Sequence, residues 1–273
     1  MFSFRTSYRH QRGPSGLVKL TWAFTGAYYI WLGVQSYHRW LELGPGGVPY
    51  NVKGWLINLL ARPFARFDTR LVAPYNMEDQ KPMYGDLGHV SFFNNGDDGP
   101  PLPPPRSGPR PDVPSYVIPQ RQTTEQSPAS MLAKQEAFIA AVATDNASLL
   151  RHEPSMLEGR THNALWLAPD EDVSDGGIPL MLRRTKGEFL HPHREGSSHG
   201  IFSLTDAARL IELGWAERHP LTGIETKFGM PWSYVLIYAP RNGEELAIWK
   251  NIIMAAVHFV AAASKRVVDV KTP

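Results

Sequence analysis

The chain has 273 residues, of which 42% are hydrophobic and 20% charged, and its formal net charge is +2. A chain of this length and apolar content can bury one sizeable core, and its charge is too small and too dispersed to indicate a nucleic-acid partner. It contains no cysteine, which excludes disulfides, thiolate nucleophiles and cysteine-ligated zinc or iron–sulfur sites.

A long uncharged run lies near the N-terminus. Residues 20–37 (LTWAFTGAYYIWLGVQSY) contain no charged side chain, and as a helix they would span about 27 Å, close to the thickness of a bilayer's hydrocarbon core. Trp22 near one end and Trp31 and Trp40 near the other are typical of residues at membrane interfaces. No small-residue cleavage site follows. We therefore interpret residues 1–45 as an uncleaved membrane anchor; the alternative is a buried helix of a soluble protein.

Residues 46–70 have apolar side chains at the spacing of one helical face and basic side chains at the other positions. This pattern predicts an amphipathic helix that Pro63 ends or kinks. Such a helix would lie on a membrane surface or cover the rest of the protein.

Residues 71–126 are predicted to be an irregular connection. Nine prolines lie between Pro100 and Pro119, and this density excludes a regular helix or a central strand there.

Residues 127–273 have the patterns of a folded domain. Helical periodicity appears near residues 130, 205 and 244, with Thr205 and Asn242 as predicted caps, and strand-like runs appear near residues 161, 188, 200 and 232. We expect an α+β fold in which a mainly antiparallel sheet is covered by these helices and preceded by the N-terminal membrane helix.

The polar stretch 183–199 (RRTKGEFLHPHREGSSH) is the most promising place for chemistry. Burying so many charged and imidazole groups costs several kcal/mol each unless they are paired. Because alternate residues of a strand point the same way, His191 and His193 can address one ligand or one metal ion. The alternative is a polar strand end whose histidines only form hydrogen bonds with the backbone.

A second polar group follows the helix predicted near residue 205. Gly214 is expected to end that helix, which places Trp215, Glu217 and His219 in a loop. Loops held by rigid elements are where binding groups concentrate.

Arg241 follows the strand-like run WSYVLIY, at the turn into the last helix. A guanidinium at this place can hold an enolate, carboxylate or peroxide anion without losing its charge. The alternative is a surface arginine paired with Glu244 or Glu245.

Several separate motifs of the sequence resemble the fungal luciferase family. They are RRTK-x-E with His191-x-His193, Gly214-Trp215-x-x-Arg218-His219-Pro220-Leu221, Tyr238-Ala239-Pro240-Arg241-Asn242, the N-terminal Leu41-Glu42-x-Gly44-Pro45, and Gln120-Arg121-Gln122. The resemblance covers nearly the whole chain, and it implies that the end of the proline-rich segment packs on the domain.

The resemblance implies a membrane-associated oxygenase that adds O2 to a hydroxylated pyrone or related phenolic polyketide, 3-hydroxyhispidin if the protein is luminous. O2 would be a co-substrate and no organic cofactor would be needed; no residue is assigned as a metal ligand in this reaction. The implied partners are a small aromatic or pyrone substrate and membrane lipid, through a single-pass or peripheral attachment to an endomembrane of a fungal cell.

The chemistry of such a reaction assigns roles to the polar residues. A histidine can take the substrate's proton, and fixed cations can stabilise the resulting anions. The expected catalytic residues are His191, His193, His219 and Arg241. The expected substrate-binding residues are Arg183, Arg184, Lys186, Glu188, His199, Trp215, Glu217, Arg218 and Tyr238.

Two other functions fit the same residues. One is a metal-dependent dioxygenase or hydrolase that uses His191 and His193 with His199 or His219, because three neutral imidazoles suit Fe(II) or Zn(II). The other is a non-catalytic protein that binds a small molecule with the same fold.

Overall fold

The computed structural model describes residues 16–94, 99–170, 177–226 and 228–273. The chain divides into two compact units, Met1–Glu42 and Leu43–Pro273. The first unit contains helix α1, and the second contains the sheet and the remaining helices.

Helix α1 (Gly16–Glu42) covers the predicted anchor and exposes large apolar side chains such as Trp22, Phe24 and Ile30. Within the described residues, however, the one helix whose length and apolarity suffice for a membrane span is α6 (Gly243–Ser264), and most of that segment is buried in the protein. Helix α6 is therefore a core helix. The transmembrane character predicted for α1 is not shown, because its lysine, threonines, serine and glutamine dilute its apolar residues.

Helix α2 (Val52–Ala61) begins at Asn51, whose side-chain oxygen accepts hydrogen bonds from two backbone amides of the first turn. A 3₁₀ turn at Arg62–Phe64 contains Pro63 and ends the helix. The buried Asn58 accepts a hydrogen bond from the backbone amide of Val117 at 2.7 Å. Much of the apolar stripe points outward, and its exposed members are Val52, Leu56, Leu60, Phe64 and Phe67.

The predicted irregular connection contains three short helical turns at Glu78–Gln80, Lys81–Tyr84 (α3) and Gly85–His89. The proline-rich part, in its described residues from 99 to 128, has neither helix nor strand. Gln120, Arg121 and Gln122 at its end are buried against the domain.

Six strands form one antiparallel sheet within the described residues, in the order β1-β2-β3-β4-β6-β5. They are β1 (Leu150–Pro154), β2 (Asn163–Leu167), β3 (Glu188–Pro192), β4 (Ser198–Ile201), β5 (Ala216–Arg218) and β6 (Tyr234–Ile237). The predicted α+β class with an antiparallel sheet is confirmed. The loop predicted around Glu217 is wrong, because residues 216–218 pair with β6 as an edge strand.

Three helices complete the second unit: α4 (Ala129–Asp145), α5 (Leu204–Glu212) and α6. Asn242 caps α6 as predicted and accepts a hydrogen bond from the backbone amide of Glu245 at 2.9 Å. The cap of α5 is Ser203 and not Thr205, since the Ser203 hydroxyl accepts from the Asp206 amide at 3.1 Å.

The two faces of the sheet have different environments. Directly opposed residues of neighbouring strands share a face, so the register places Leu190, Val235 and Ile237 on one face, where they join the apolar core with α6. The register places His191 and His199 on the other face.

Candidate active site

Four buried histidines lie together on the second face of the sheet. His191 in β3 and His199 in β4 are opposed in the register, His193 comes two residues after His191, and His219 follows the end of β5. The ring centroids are 5.2 Å apart for His191 and His193, 4.6 Å for His193 and His199, and 5.3 Å for His199 and His219. The strand pairing therefore brings together imidazoles from three segments of the chain.

A β-bulge adds Glu188 to this group. Trp166 pairs with Glu188 and Leu165 with Leu190, so β3 has one extra residue at this point. Because a bulge interrupts the alternation of side chains, Glu188 and His191 can lie on the same side although they are three residues apart. The Glu188 carboxylate lies 2.8 Å from His191 Nδ1 and fixes the orientation of that ring.

Glu188 also holds the turn that carries Glu158. Its carboxylate accepts hydrogen bonds from the Ser155 hydroxyl at 2.5 Å and from the backbone amides of Met156 and Leu157 at 2.8 and 3.2 Å. This turn places the buried Glu158 carboxylate over the histidines, with its Oε1 3.5 Å from His191 Nε2 and 3.8 Å from His193 Nε2. The other carboxylate oxygen pairs with Arg121.

Hydrogen bonds also fix the rings of His199 and His193. His199 Nε2 lies 3.0 Å from Gln120 Oε1, and the Gln120 amide nitrogen donates to Glu217 Oε1 at 3.3 Å. His193 Nδ1 lies 2.7 Å from the Ser197 hydroxyl, which donates to Glu195 Oε1 at 2.5 Å. Since each hydrogen bond uses one ring nitrogen, the second nitrogen of each ring is left facing the cluster.

The surroundings shift the pKa values of these groups in different directions. Burial lowers the pKa of His193 and of His199 well below the usual value, and lowers the pKa of His219 to about 3. Burial also opposes a charge on His191, but hydrogen bonds with Glu158 and Glu188 outweigh it and raise the pKa of His191 to about 9. Burial would raise the pKa of Glu158, yet the Arg121 charge and the neighbouring histidines hold it well below its usual range.

A cavity of about 270 Å³ borders the cluster. His199, His219, Glu158 and Tyr234 line its polar side, and the Tyr234 ring stacks on the His199 ring with centroids 4.8 Å apart. Its other lining side chains are largely apolar: Ile118, Met156, Leu157, Leu221, Phe228 and Met230. A cavity with apolar walls and a few fixed polar groups suits a small, flat, partly polar molecule.

Sequence comparisons support the resemblance of the motifs. A luciferase domain model matches residues 186–256. The chain is 31% identical over 234 residues to a luciferase of Armillaria ostoyae, an alignment that covers 83% of this chain and 80% of the relative. A luciferase of Armillaria mellea is 30% identical with the same coverage, and one of Neonothopanus nambi is 28% identical over 236 residues, again with 83% and 80% covered.

The chain belongs to the fungal luciferase family. The luciferase domain match begins just before β3 and contains all four clustered histidines, whereas Arg121 and Glu158 precede it. No solved structure matches the chain.

The structure of this luciferase family member brings some of the predicted site residues together. His191, His193, His199 and His219 form the cluster with Glu188, and of these five residues His199 and His219 line the cavity. Arg184 lines the cavity and donates to the backbone carbonyls of Thr226 and Gly229. Glu217 and Tyr238 lie one layer behind, where the Tyr238 hydroxyl donates to Glu217 at 2.9 Å and Glu217 holds Gln120.

Other predicted residues do not line the cavity. Arg241 pairs with Glu245 and Glu125, so its charge is used in a surface network beside the cap of α6. Arg218 donates to the backbone carbonyls of Leu71 and Val72, which fixes the connection to the sheet.

The remaining predicted residues also lie outside the cavity lining. The indole of Trp215 donates to the Pro104 carbonyl at 2.7 Å. Lys186 is exposed in the turn before β3, and Arg183 borders a separate surface depression near the end of α6.

Four residues of the site had no assigned role in the sequence: Gln120, Arg121, Glu158 and Tyr234. The Gln120-Arg121-Gln122 motif was a usable signal, because it belongs to the family resemblance. Glu158 gave no signal, since a single acid in a turn (Met156-Leu157-Glu158-Gly159) is typical of a solvated loop.

Proposed function

We propose that this protein is a membrane-associated oxygenase that adds O2 to a hydroxylated pyrone or related phenolic polyketide without an organic cofactor. The observation that carries this proposal is the cavity whose polar side includes His199 and His219 of the buried imidazole cluster. The family membership supports an O2-dependent reaction. The substrate would be 3-hydroxyhispidin if the protein emits light.

The chemistry requires an electron-rich anion. Triplet O2 reacts slowly with closed-shell molecules, but an enolate can transfer one electron to it, and recombination then forms the carbon–oxygen bond of a peroxide anion. The protein must therefore promote loss of the hydroxyl proton and stabilise the oxyanions. The imidazole cluster, in which His191 and His193 were the candidate bases, reaches the cavity through His199 and His219, and Arg184 adds a positive charge to the cavity lining. These groups are suited to the two tasks.

The cavity walls suit a flat substrate. The stacked rings of Tyr234 and His199 offer an aromatic surface, and Leu221 and Met230 offer apolar contacts. His219 would shape this wall and not move a proton, because its Nδ1 accepts a hydrogen bond from the Leu221 amide at 3.1 Å and its ring also has a backbone hydrogen bond with Val117.

Exposed apolar surface supports the membrane part of the proposal. In α1, apolar side chains are exposed on all sides of the described helix, and α2 with its following turn exposes Leu56, Leu60 and Phe67. Lys53 and Arg62 lie beside the α2 stripe. Apolar surface flanked by basic residues is typical of contact with an anionic membrane.

The test uses His191→Ala and His193→Ala, assayed one at a time for O2 consumption with a panel of hydroxypyrones under air and under nitrogen, with mass spectrometry of the products. Each variant should lose about 100-fold or more in rate, the usual contribution of a positioned proton-transfer group. His89→Ala, which changes an exposed histidine elsewhere, is the matched control, and circular dichroism checks the fold. Tight pyrone binding by the wild type without any O2 uptake would instead indicate a non-catalytic binding protein.

A further inference from the structure

Four potential ligands converge on one point beside the cavity. Glu158, His191, His193 and His199 each offer one oxygen or nitrogen atom, and these four atoms all lie within 4.8 Å of one another. All four residues are buried. Three imidazoles and one carboxylate so close together are a donor set that first-row transition metals accept.

The surrounding residues orient each imidazole toward this point. In each ring, the nitrogen that faces away from this point, here called the outer nitrogen, is held by a polar side chain. The partners are Glu188 for His191 Nδ1, Ser197 for His193 Nδ1 and Gln120 for His199 Nε2. Metal-binding histidines almost always have their second nitrogen held in this way by a carboxylate, a carbonyl or another polar group, which fixes the tautomer. The arrangement is therefore one in which three lone pairs can point at one cation.

The inner nitrogens have unmet bonding capacity. His193 Nε2 is buried and makes no hydrogen bond within the described structure. His191 Nε2 and His199 Nδ1 face each other at 3.2 Å. When both rings are neutral and donate through His191 Nδ1 and His199 Nε2, these two facing atoms each carry a lone pair. An unpartnered polar atom in a buried site is costly, and a cation between the nitrogens would satisfy all three.

The charges of the buried carboxylates also favour a bound cation. The carboxylates of Glu158 and Glu188 lie in the buried cluster with one fixed cation, Arg121, which pairs with Glu158. A histidine that binds a metal ion must be neutral, and with His191 neutral this group has excess negative charge, which in a buried site is stable only when it is compensated.

We propose that Glu158, His191, His193 and His199 bind a divalent transition-metal ion. Metal–nitrogen bonds of about 2.1 Å place neighbouring ligand atoms about 3 to 4 Å apart. The contacts of Glu158 Oε1 with His191 Nε2 and His193 Nε2, at 3.5 and 3.8 Å, are already in that range. Arg121 remains paired with the second oxygen of Glu158 and fixes its orientation.

This site uses three histidines of the metal-dependent alternative that the sequence left open, and adds Glu158 to them. Glu158 and His199 both line the cavity, so a cation among the four ligands would lie close to a bound substrate. Its positive charge would then stabilise the substrate oxyanion, which is the task otherwise assigned to the imidazoles. The proposal concerns the same site as the proposed oxygenase, but it does not depend on which substrate is used.

The test measures metal binding in the full-length protein without substrate. Protein stripped with a chelator is titrated with Co²⁺, whose visible absorption reports the ligand set, and Zn²⁺ is followed by equilibrium dialysis. One equivalent should bind, and the melting temperature should rise. His193→Ala and Glu158→Gln should each weaken binding more than Gln120→Leu. The last change leaves all four ligands in place but removes the group that orients His199, so it should weaken binding by about 10 to 100-fold.

Neither the control nor the result that would contradict the metal site requires a measurement of enzyme activity. His89→Ala should bind Co²⁺ as the wild type does, and the melting temperature of each stripped variant shows whether it folds. A wild-type protein that binds neither ion, or a His193→Ala variant that binds both as tightly as the wild type, would overturn the metal site. Failure of every hydroxypyrone to react would count against the proposed function and leave the binding result standing.

Discussion

At the scale of single residues, the site depends on charged groups that are removed from water. Arg121 and Glu158 are almost fully buried and pair directly. Removing both charges of a buried pair often costs little stability, whereas removing one leaves the other uncompensated and costs about 3 to 5 kcal/mol. Conversely, the predicted anion-binding Arg241 uses its charge on Glu245 and Glu125, outside the cavity.

We therefore expect Arg121→Met to lower the free energy of unfolding by about 3–5 kcal/mol, and the double variant Arg121→Met, Glu158→Gln to lower it by less than the sum of the single changes. Urea unfolding of chelator-treated protein measures both. The exposed pair Arg209 and Glu212 is the control, and Arg209→Met should change the same free energy by about 0–1 kcal/mol. Additive effects at Arg121 and Glu158 would show that the two charges do not stabilise each other.

At the scale of elements, the hairpin from β3 to β4 positions three of the four histidines. Its tight turn places Gly196 at φ +96°, and the Gly196 amide donates to the His193 carbonyl at 3.0 Å. A Cβ atom at Gly196 would collide with Ser127 and come within 3.2 Å of Gln135. Glycine is thus required both by the backbone conformation and by the close approach of neighbouring side chains.

Gly196→Ala should destabilise the protein by more than the strain of a positive φ alone, which is about 1–2 kcal/mol. The matched control is Gly214→Ala, because Gly214 also has a positive φ, of +82°, but a Cβ there would make only an ordinary contact with Arg106, at 3.7 Å. Thermal unfolding of both variants gives the comparison. Equal losses would mean that the packing of Ser127 and Gln135 against the turn contributes nothing.

The sequence predicts the longer elements better than the site. Strand β6 and helix α6 carry strong apolar patterns, and the Asn242 cap follows from local chemistry. Strand β5 has three residues and includes Glu217 and Arg218, so no alternation marks it. Neither the bulge that turns Glu188 toward His191 nor the approach of Glu158 from a distant turn has a local signal, because both depend on tertiary pairing.

At the scale of the whole molecule, one face of the sheet contributes to stability and the other face carries the candidate site. One face joins the apolar core that α6 completes, and the other carries the buried polar cluster beside its cavity. The polar face is covered by irregular chain around Gln120 and Glu158, in which Gln120 bonds to His199 and the Val117 backbone bonds to His219. Helix α1 forms a unit of its own, so membrane attachment and the site can be tested separately.

A variant that begins at Leu43 should leave the membrane fraction when the protein is expressed in a fungal host, because it lacks the exposed apolar side chains of α1. Its circular dichroism should equal that of the full-length protein after the contribution of α1 is subtracted. Its Co²⁺ binding should be unchanged, since β1–β6 and all four ligands lie in the second unit.

Carbonate extraction of the full-length protein distinguishes a spanning helix, which stays with the lipid, from one that lies on the surface. If the shortened protein still sediments with membranes, Leu60→Asp should release it, which would assign attachment to the exposed stripe of α2. Full-length protein found entirely in the soluble fraction would contradict the membrane proposal for both helices.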